Sequence, residues 1–270
     1  LAEALEGIDL LAESVTSAGL RPVFTDINNL GAPTCPIVLT SKGIEQNSGL
    51  ILAEVVTEIF GEERHKSVGL LSGPSFAQEV IHGLPASVVA TAFAPETAAT
   101  ICGTFATNTF RVYPNSDIYG VSYGGALKNV IAIACGICHG LALGESSRAA
   151  LMTRGLHEAR KLAIAKGCRG ETLNGLSGMG DFVLTCNSPQ SRNFRFGMLL
   201  AEGLTSAAAE TQIGMVIEGA YTCRSVLQLS SKMGIAMPVT EAVHKIIDGE
   251  LTPLEAVRSL MLRAIKEEHL

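Results

Sequence analysis

A chain of 270 residues with 47% hydrophobic composition is long enough to bury one large core or two modest ones. Its net charge of −6 argues against general nucleic-acid binding, which needs a basic face, but leaves room for a small basic pocket. The seven cysteines are odd in number and scattered along a chain too long to need stapling, so free thiols in a reducing cytoplasm are a simpler reading than a disulfide framework.

The opening residues Leu1 to Glu6 are acidic and form no apolar run, so they do not read as a secretory leader. Because Leu1 is not a translation start, the chain reads as a fragment or a processed product. Over the first 115 or so residues, short β-branched runs alternate with helical patterns. Strands are expected at Ile8–Val15, Pro36–Ser41, Ser67–Ser72, Ser87–Ala92 and Phe110–Tyr113, and helices after Thr16, after Glu45 and from Pro95. That alternation predicts a mostly parallel sheet with helices packed against it. After Pro114 the apolar residues recur at helical spacing, in Gly125–Cys138, Arg148–Lys166, Gln190–Glu202, Glu218–Lys232 and Thr240–Asp248. The expected organisation is therefore α/β, with a sheet domain over residues 1–115 and an all-helical domain over 116–270. The longest apolar stretch, Ala126 to Leu143, holds Lys128, Asn129 and His139. A membrane span tolerates such groups poorly, so it reads as a buried helix without stable membrane insertion.

Several segments carry groups suited to chemistry. Lys128 stands in the middle of the apolar helix beginning Gly124-Gly-Ala-Leu-Lys-Asn. A buried ammonium is costly without a partner, so it should face a polar cleft, where a lysine serves as a general acid or base; the plain alternative is a side chain that snorkels to solvent. In Gly178-Met-Gly-Asp-Phe-Val-Leu-Thr-Cys186, Asp181 and Thr185 are four apart and share a helical face, although an Asp after glycines is also an ordinary cap. Ser188 followed by Pro189 predicts a helix start, with Ser191, Arg192 and Asn193 in or near its first turn; free amides and an arginine fork there suit a phosphate. Lys42 lies just past the end of a strand, the edge where ligands bind in open α/β sheets. The turn Ser72-Gly-Pro-Ser-Phe-Ala also follows a strand and opens a helix. Cys135-Gly-Ile-Cys138-His139 matches a haem-attachment pattern, but its place at the end of the Lys128 helix favours small packing groups. No second ligand pair supports a structural zinc, so no metal is expected.

Taken in order, Ser-Lys-Gly (41–43), Ser-Gly-Pro-Ser-Phe-Ala (72–77), Gly-Gly-Ala-Leu-Lys-Asn (124–129), Thr-Arg-Gly-Leu (153–156), Gly-x-Gly-Asp-x-x-x-Thr-Cys (178–186) and Ser-Arg-Asn (191–193) resemble bacterial-type NAD(P)-dependent glycerol-3-phosphate dehydrogenase. The resemblance runs from about residue 5 to about 260. It implies a Rossmann-type domain followed by a helical domain, and interconversion of dihydroxyacetone phosphate and sn-glycerol 3-phosphate with NAD or NADP, feeding phospholipid synthesis in the cytoplasm. It also implies a homodimer. By motif, it implies that Lys128 is the acid/base lysine, that Lys42 sits beside substrate and cofactor, and that Asp181 orients the lysine or a substrate hydroxyl. Gly73, Ser75, Thr185, Ser191, Arg192 and Asn193 fall at substrate positions, with Arg192 the candidate for the phosphate. Lys42, Ala77, Arg192, Val216 and Glu218 fall at cofactor positions.

The sequence departs from the family at its start. No Gly-x-Gly-x-x-Gly turn occurs, and two βαβ-scale units, roughly 60 residues, are not represented. Val15-Thr-Ser17 stands where the family often has Val-Pro-Ser. The expectations are an exposed sheet edge and weak cofactor binding by these residues alone, with NAD against NADP preference unreadable. Two other readings are a non-catalytic binding module of this fold, and a related dehydrogenase of another hydroxy compound.

Overall fold

The computed structural model describes residues 1–265, 267 and 268. Five strands form one sheet in the order β1-β2-β3-β4-β5: β1 (Leu11–Glu13), β2 (Ile37–Leu39), β3 (Val68–Ser72), β4 (Ala86–Ala92) and β5 (Phe110–Asn115). The pairings are parallel except β3–β4, where Gly69 faces Ala92 and Ser72 faces Val89 in antiparallel register. β1 pairs with β2 (Leu11 opposite Ile37) and stands at the edge of the sheet. Parallel neighbours need crossovers, here α1 (Ser17–Leu30), α2 (Leu52–Phe60) and α4 (Pro95–Phe105). α3 (Ala77–Ile81) is a short helix on the β3–β4 connection.

All five expected strands are present, but β1 is shorter than Ile8–Val15. Its ladder is closed at both ends, by the Leu11 amide donating to Pro36 (2.9 Å) and the Thr40 amide donating to Glu13 (3.1 Å). The helical part begins with α5 (Ile118–Gly140), which starts a turn or two earlier than the apolar periodicity indicates. Asp117 caps it by accepting from the Gly120 amide (2.9 Å), and the same carboxylate accepts from the Arg169 amide and the Thr172 hydroxyl. α5 is long and apolar enough to cross a membrane by composition, but it is buried inside the fold.

Around α5 pack α6 (Glu145–Ala165), α7 (Asp181–Cys186), α8 (Arg192–Ala201), α10 (Glu218–Lys232) and α11 (Pro238–Ile247), with α9 (Ser206–Ile213) and α12 (Pro253–Met261) outside them. A π-type turn, Leu176–Gly180, leads into α7. α5 and α8 cross at glycines: a Cβ on Gly136 would stand 2.0 Å from the Phe194 carbonyl oxygen, and one on Gly197 2.1 Å from that of Ile133. Only hydrogen fits between backbones this close. The main apolar core is continuous, running from Leu20, Phe24 and Val56 beside the sheet through Leu127 and Ile131 to Phe196 and Val243. Each such large side chain contributes about 1.5–3 kcal/mol by leaving water.

One expected boundary is wrong. Ser188 does not cap a helix: the chain turns over Ser188–Ser191, with the Ser191 amide donating to the Ser188 carbonyl (3.0 Å). α8 starts at Arg192, and its cap is Ser191, whose hydroxyl accepts from the Phe194 amide. Pro189 occupies the second position of a turn, where proline is as suitable as at the first position of a helix.

Candidate active site

Lys128 lies on the third turn of α5, 9% exposed, and does not snorkel. Its ammonium donates to Asp181 Oδ1 at 2.5 Å, and Asp181 is 1% exposed. A buried pair of this kind is tolerable because each charge neutralises the other and the carboxylate is further hydrogen-bonded. Thr185, one turn along α7, donates to the same oxygen at 3.2 Å. Asp181 Oδ2 is buried and has no hydrogen-bond partner among the described residues. Asp181 is thus the first residue of α7 and the counter-ion of Lys128, not a cap.

Lys42 reaches the same place from the sheet. Its aliphatic stem lies against Gly125, where a Cβ would meet its Cδ at 3.2 Å and the Ser72 hydroxyl at 3.0 Å. Gly125 is three residues before Lys128 and shares its face of α5. Among the described residues Lys42 has no acidic group within ion-pair distance. Burial, and then the Lys128 cation, push its ammonium down to about 8, against the opposing pull of Asp181 and Glu13. The Ser72 hydroxyl, at the end of β3, is likewise buried without a partner among the described residues.

The loop after β3 closes one side of the cluster. Gly73 is in the positive-φ region (φ 150) and sits where a Cβ would press on Val88 at 2.9 Å. The Ser75 hydroxyl donates to the Gly73 carbonyl (3.3 Å), and Pro74 lies 3.5 Å from where a Gly180 Cβ would be. The loop therefore abuts the turn that presents Asp181. On another side, Asn193 donates to the Asn129 side chain (3.1 Å) and accepts from the Gly219 amide (2.9 Å), linking α8 to the residue beside Lys128 and to the start of α10. Ser191 is committed to capping. Arg192, half-buried at the first position of α8, has no hydrogen bond or ion pair among the described residues.

Of the residues placed at cofactor positions, Glu218 is the most constrained. Its carboxylate, at the first position of α10, accepts from the Ser17 amide (3.1 Å) and the Ser17 hydroxyl at the start of α1. Ala77 opens α3 and is exposed, and Val216, 50% exposed, precedes α10; both offer hydrocarbon surface only. A cavity of about 260 Å³ between α8 and α9, lined by Arg195, Met198, Leu199, Glu202, Gln212 and Ile213, contains none of these groups. Cys135 and Cys138 are buried core thiols of α5, and the His139 ring rests against Phe194 (centroids 5.5 Å apart).

Glu13 falls inside the expected strand Ile8–Val15, and nothing in its local sequence marks it. It is 5% exposed and accepts from the Val15 amide (2.6 Å), the Ser41 hydroxyl (2.6 Å) and the Ser41 amide (3.3 Å).

Comparison with known proteins places this geometry in context. Residues 1–98 match the family model described as the NAD-dependent glycerol-3-phosphate dehydrogenase N-terminus, and residues 117–258 match the model of its C-terminus. A glycerol-3-phosphate dehydrogenase [NAD(P)+] of Protochlamydia amoebophila is 64% identical over 270 residues, covering the whole chain and 81% of the relative. One from Chlamydia trachomatis serovar L2 is 53% identical over 268 residues, 99% of this chain and 80% of that one. The crystal structure of glycerol-3-phosphate dehydrogenase from Coxiella burnetii superposes with a TM-score of 0.92 at 39% identity, covering 97% of this chain and 80% of that one.

Proposed function

Because this chain belongs to the NAD-dependent glycerol-3-phosphate dehydrogenase family, we propose that the Lys128 cluster is where it carries out the family reaction. That reaction interconverts dihydroxyacetone phosphate and sn-glycerol 3-phosphate by hydride transfer with NAD(P), and it supplies the glycerol backbone of phospholipids. The single observation that carries the assignment is the buried Lys128–Asp181 pair with one carboxylate oxygen left free.

When bound, the nicotinamide supplies or accepts the hydride. Reduction leaves negative charge on the C2 oxygen, and a positioned proton donor there lowers the barrier. In this reading the Lys128 ammonium donates that proton, and takes it back in the oxidative direction. Asp181 balances the ammonium's charge and fixes its position, while Thr185 steadies the carboxylate. The free Oδ2 of Asp181 and the Ser72 hydroxyl are groups a substrate hydroxyl can satisfy. Arg192 takes the phosphate, away from the reacting carbon, which supplies orientation. Asn193 and Ser191 hold that end of α8 in place, and Gly73 and Ser75 bound the substrate from the sheet side. Two cations with no acidic group within ion-pair distance among the described residues, Lys42 and Arg192, suit polyanionic ligands, and with Ala77, Val216 and Glu218 they are the residues that would hold NAD(P).

The same reading takes residues 1–115 as belonging to the dinucleotide-binding half and 116–270 as the substrate half, supported by the break between β5 and α5. It places the protein in the cytoplasm, as its unpaired thiols favour. A homodimer is also part of it, to be decided by sedimentation. The test of function is NADH consumption with dihydroxyacetone phosphate against a panel of unphosphorylated hydroxy-acid precursors. A preference for an unphosphorylated ketone would favour the related-dehydrogenase reading instead.

A further inference from the structure

Glu13 ends β1, and among the described residues its carboxylate accepts from two backbone donors on the turns after β1 and β2, the Val15 amide and the Ser41 amide, while the Ser41 hydroxyl lies between this carboxylate and the Val15 carbonyl and shares its one proton between them. Its backbone carbonyl takes two more donors, the Thr40 amide (3.1 Å) and the Thr40 hydroxyl (2.7 Å). Thr40 and Ser41 are the two residues immediately before Lys42. A neutral amide at position 13 would turn an N–H toward a donor, so this pocket is built for a carboxylate. A carboxylate this deeply buried is retained only where donors or cations compensate it.

We propose that Glu13 is a positioning residue for the reaction: its carboxylate and carbonyl lock the Thr40–Ser41 turn that carries Lys42 to its place beside Gly125 and Lys128. The proposal rests on the reading of Lys42 as a site residue. The charged groups that act on Lys42 are Lys128 from α5, Asp181 from α7 and Glu13 from β1. Two of the three are carboxylates, and Asp181 is already engaged by Lys128. Removing the charge of Glu13 leaves burial and the Lys128 cation less opposed, so Lys42 loses its proton at lower pH.

The decisive experiment does not need turnover. The midpoint of Lys42 labelling by an amine-reactive reagent is followed against pH by mass spectrometry, for wild type, Glu13→Gln and Glu13→Asp. Wild type should give a midpoint near 8. Glu13→Gln should move it down by a fraction of a pH unit, since Glu13 is the smallest of the influences on Lys42, and Glu13→Asp should restore most of the difference. The alkaline limb of kcat/KM for dihydroxyacetone phosphate should shift in parallel, which uniform destabilisation would not cause. Ser41→Ala keeps the charge and removes one donor. It should leave the midpoint in place and raise KM about fivefold, the weight of one hydrogen bond, and this variant serves if Glu13→Gln does not fold. An unmoved midpoint in folded Glu13→Gln, or an unchanged KM in Ser41→Ala, overturns the tie. A midpoint that moves while the alkaline limb stays put overturns Glu13's part in the reaction and the reading of Lys42, but not the Lys128 assignment.

Discussion

Neutralising either member of the Lys128–Asp181 pair should damage the protein in two separable ways. Asp181→Asn leaves an ammonium with 11% of its side-chain surface exposed and no counter-ion, and Lys128→Met leaves a carboxylate with 1% exposed in the same position. Breaking a buried pair by removing one partner costs about 3–5 kcal/mol, whereas removing both charges together is often close to neutral. Lys128 keeps some contact with solvent, so Asp181→Asn should fall at or below the lower end of that range and Lys128→Met nearer the upper end. The double variant Lys128→Met/Asp181→Asn should therefore be more stable than Lys128→Met alone, with a coupling energy of about 2 kcal/mol or more in a cycle measured by urea unfolding. Activity should not follow stability. Loss of the acid/base group costs about 10²–10⁴-fold in turnover, and the double variant should remain as inactive as the single one although it folds better. Strictly additive stability losses would show that the two groups do not depend on one another. Appreciable dihydroxyacetone phosphate reduction by the double variant would remove Lys128 from the chemistry.

Arg192→Ala should raise KM for dihydroxyacetone phosphate by about 10-fold or more, the weight of a charge-assisted contact, while changing the poor turnover of unphosphorylated dihydroxyacetone little; equal losses with both substrates would mean that Arg192 does not read the phosphate. Glu158 accepts from the Val239 amide and from the Thr240 amide and hydroxyl, but burial outweighs these bonds and pushes its carboxyl up to about 7 from 4.5. A raised carboxyl means that the folded state binds the extra proton, so stability should fall by about 3 kcal/mol as pH rises from 4.5 through 7. Urea midpoints at pH 5 and 7.5 should show this slope in wild type and lose much of it in Glu158→Gln. Replacing Cys135 and Cys138 by serine should leave activity and the visible spectrum unchanged and cost about 1–3 kcal/mol per buried hydroxyl that finds no partner; a Soret band lost on mutation would revive covalent haem.

The sequence reveals groups whose chemistry conflicts with their surroundings. A lysine inside an apolar helix has few physical explanations, and its partner Asp181 is marked by the glycines that let the Pro74 loop and the π-type turn come close. Strand positions were readable because β-branched runs bounded by turn residues are local signals. Other features depended on tertiary partners. Ser188 and Ser191 are equally good caps by type, and the choice between them depends on the turn that ends α7. There the Asn187 side chain donates to the Val183 carbonyl and accepts from Arg148. Glu13 and Glu218 are single acidic residues with nothing in their local sequence to distinguish them; the partners Ser41 and Ser17 lie 28 and 201 residues away. Short α9 and α12 carry too few turns for periodicity to register.

The bond between Glu218 and Ser17 belongs to a longer row. Beyond it the Gln46 side chain donates to the Tyr221 carbonyl, the Asn47 amide to the Gln228 side chain, and the Lys232 ammonium to the Asn47 carbonyl. α10 is therefore laced along its length to the N-terminal half of the chain, although it comes late in sequence. Mechanically this fixes where a hinge can lie. A swing between the sheet and the helices that parted α10 from the start of α1 and from the turn around Gln46 would break all four ties at once, and one that carried α10 with the sheet would have to slide it across α5. A row of anchors on one side and a packed helix on the other leave little room for a clamshell.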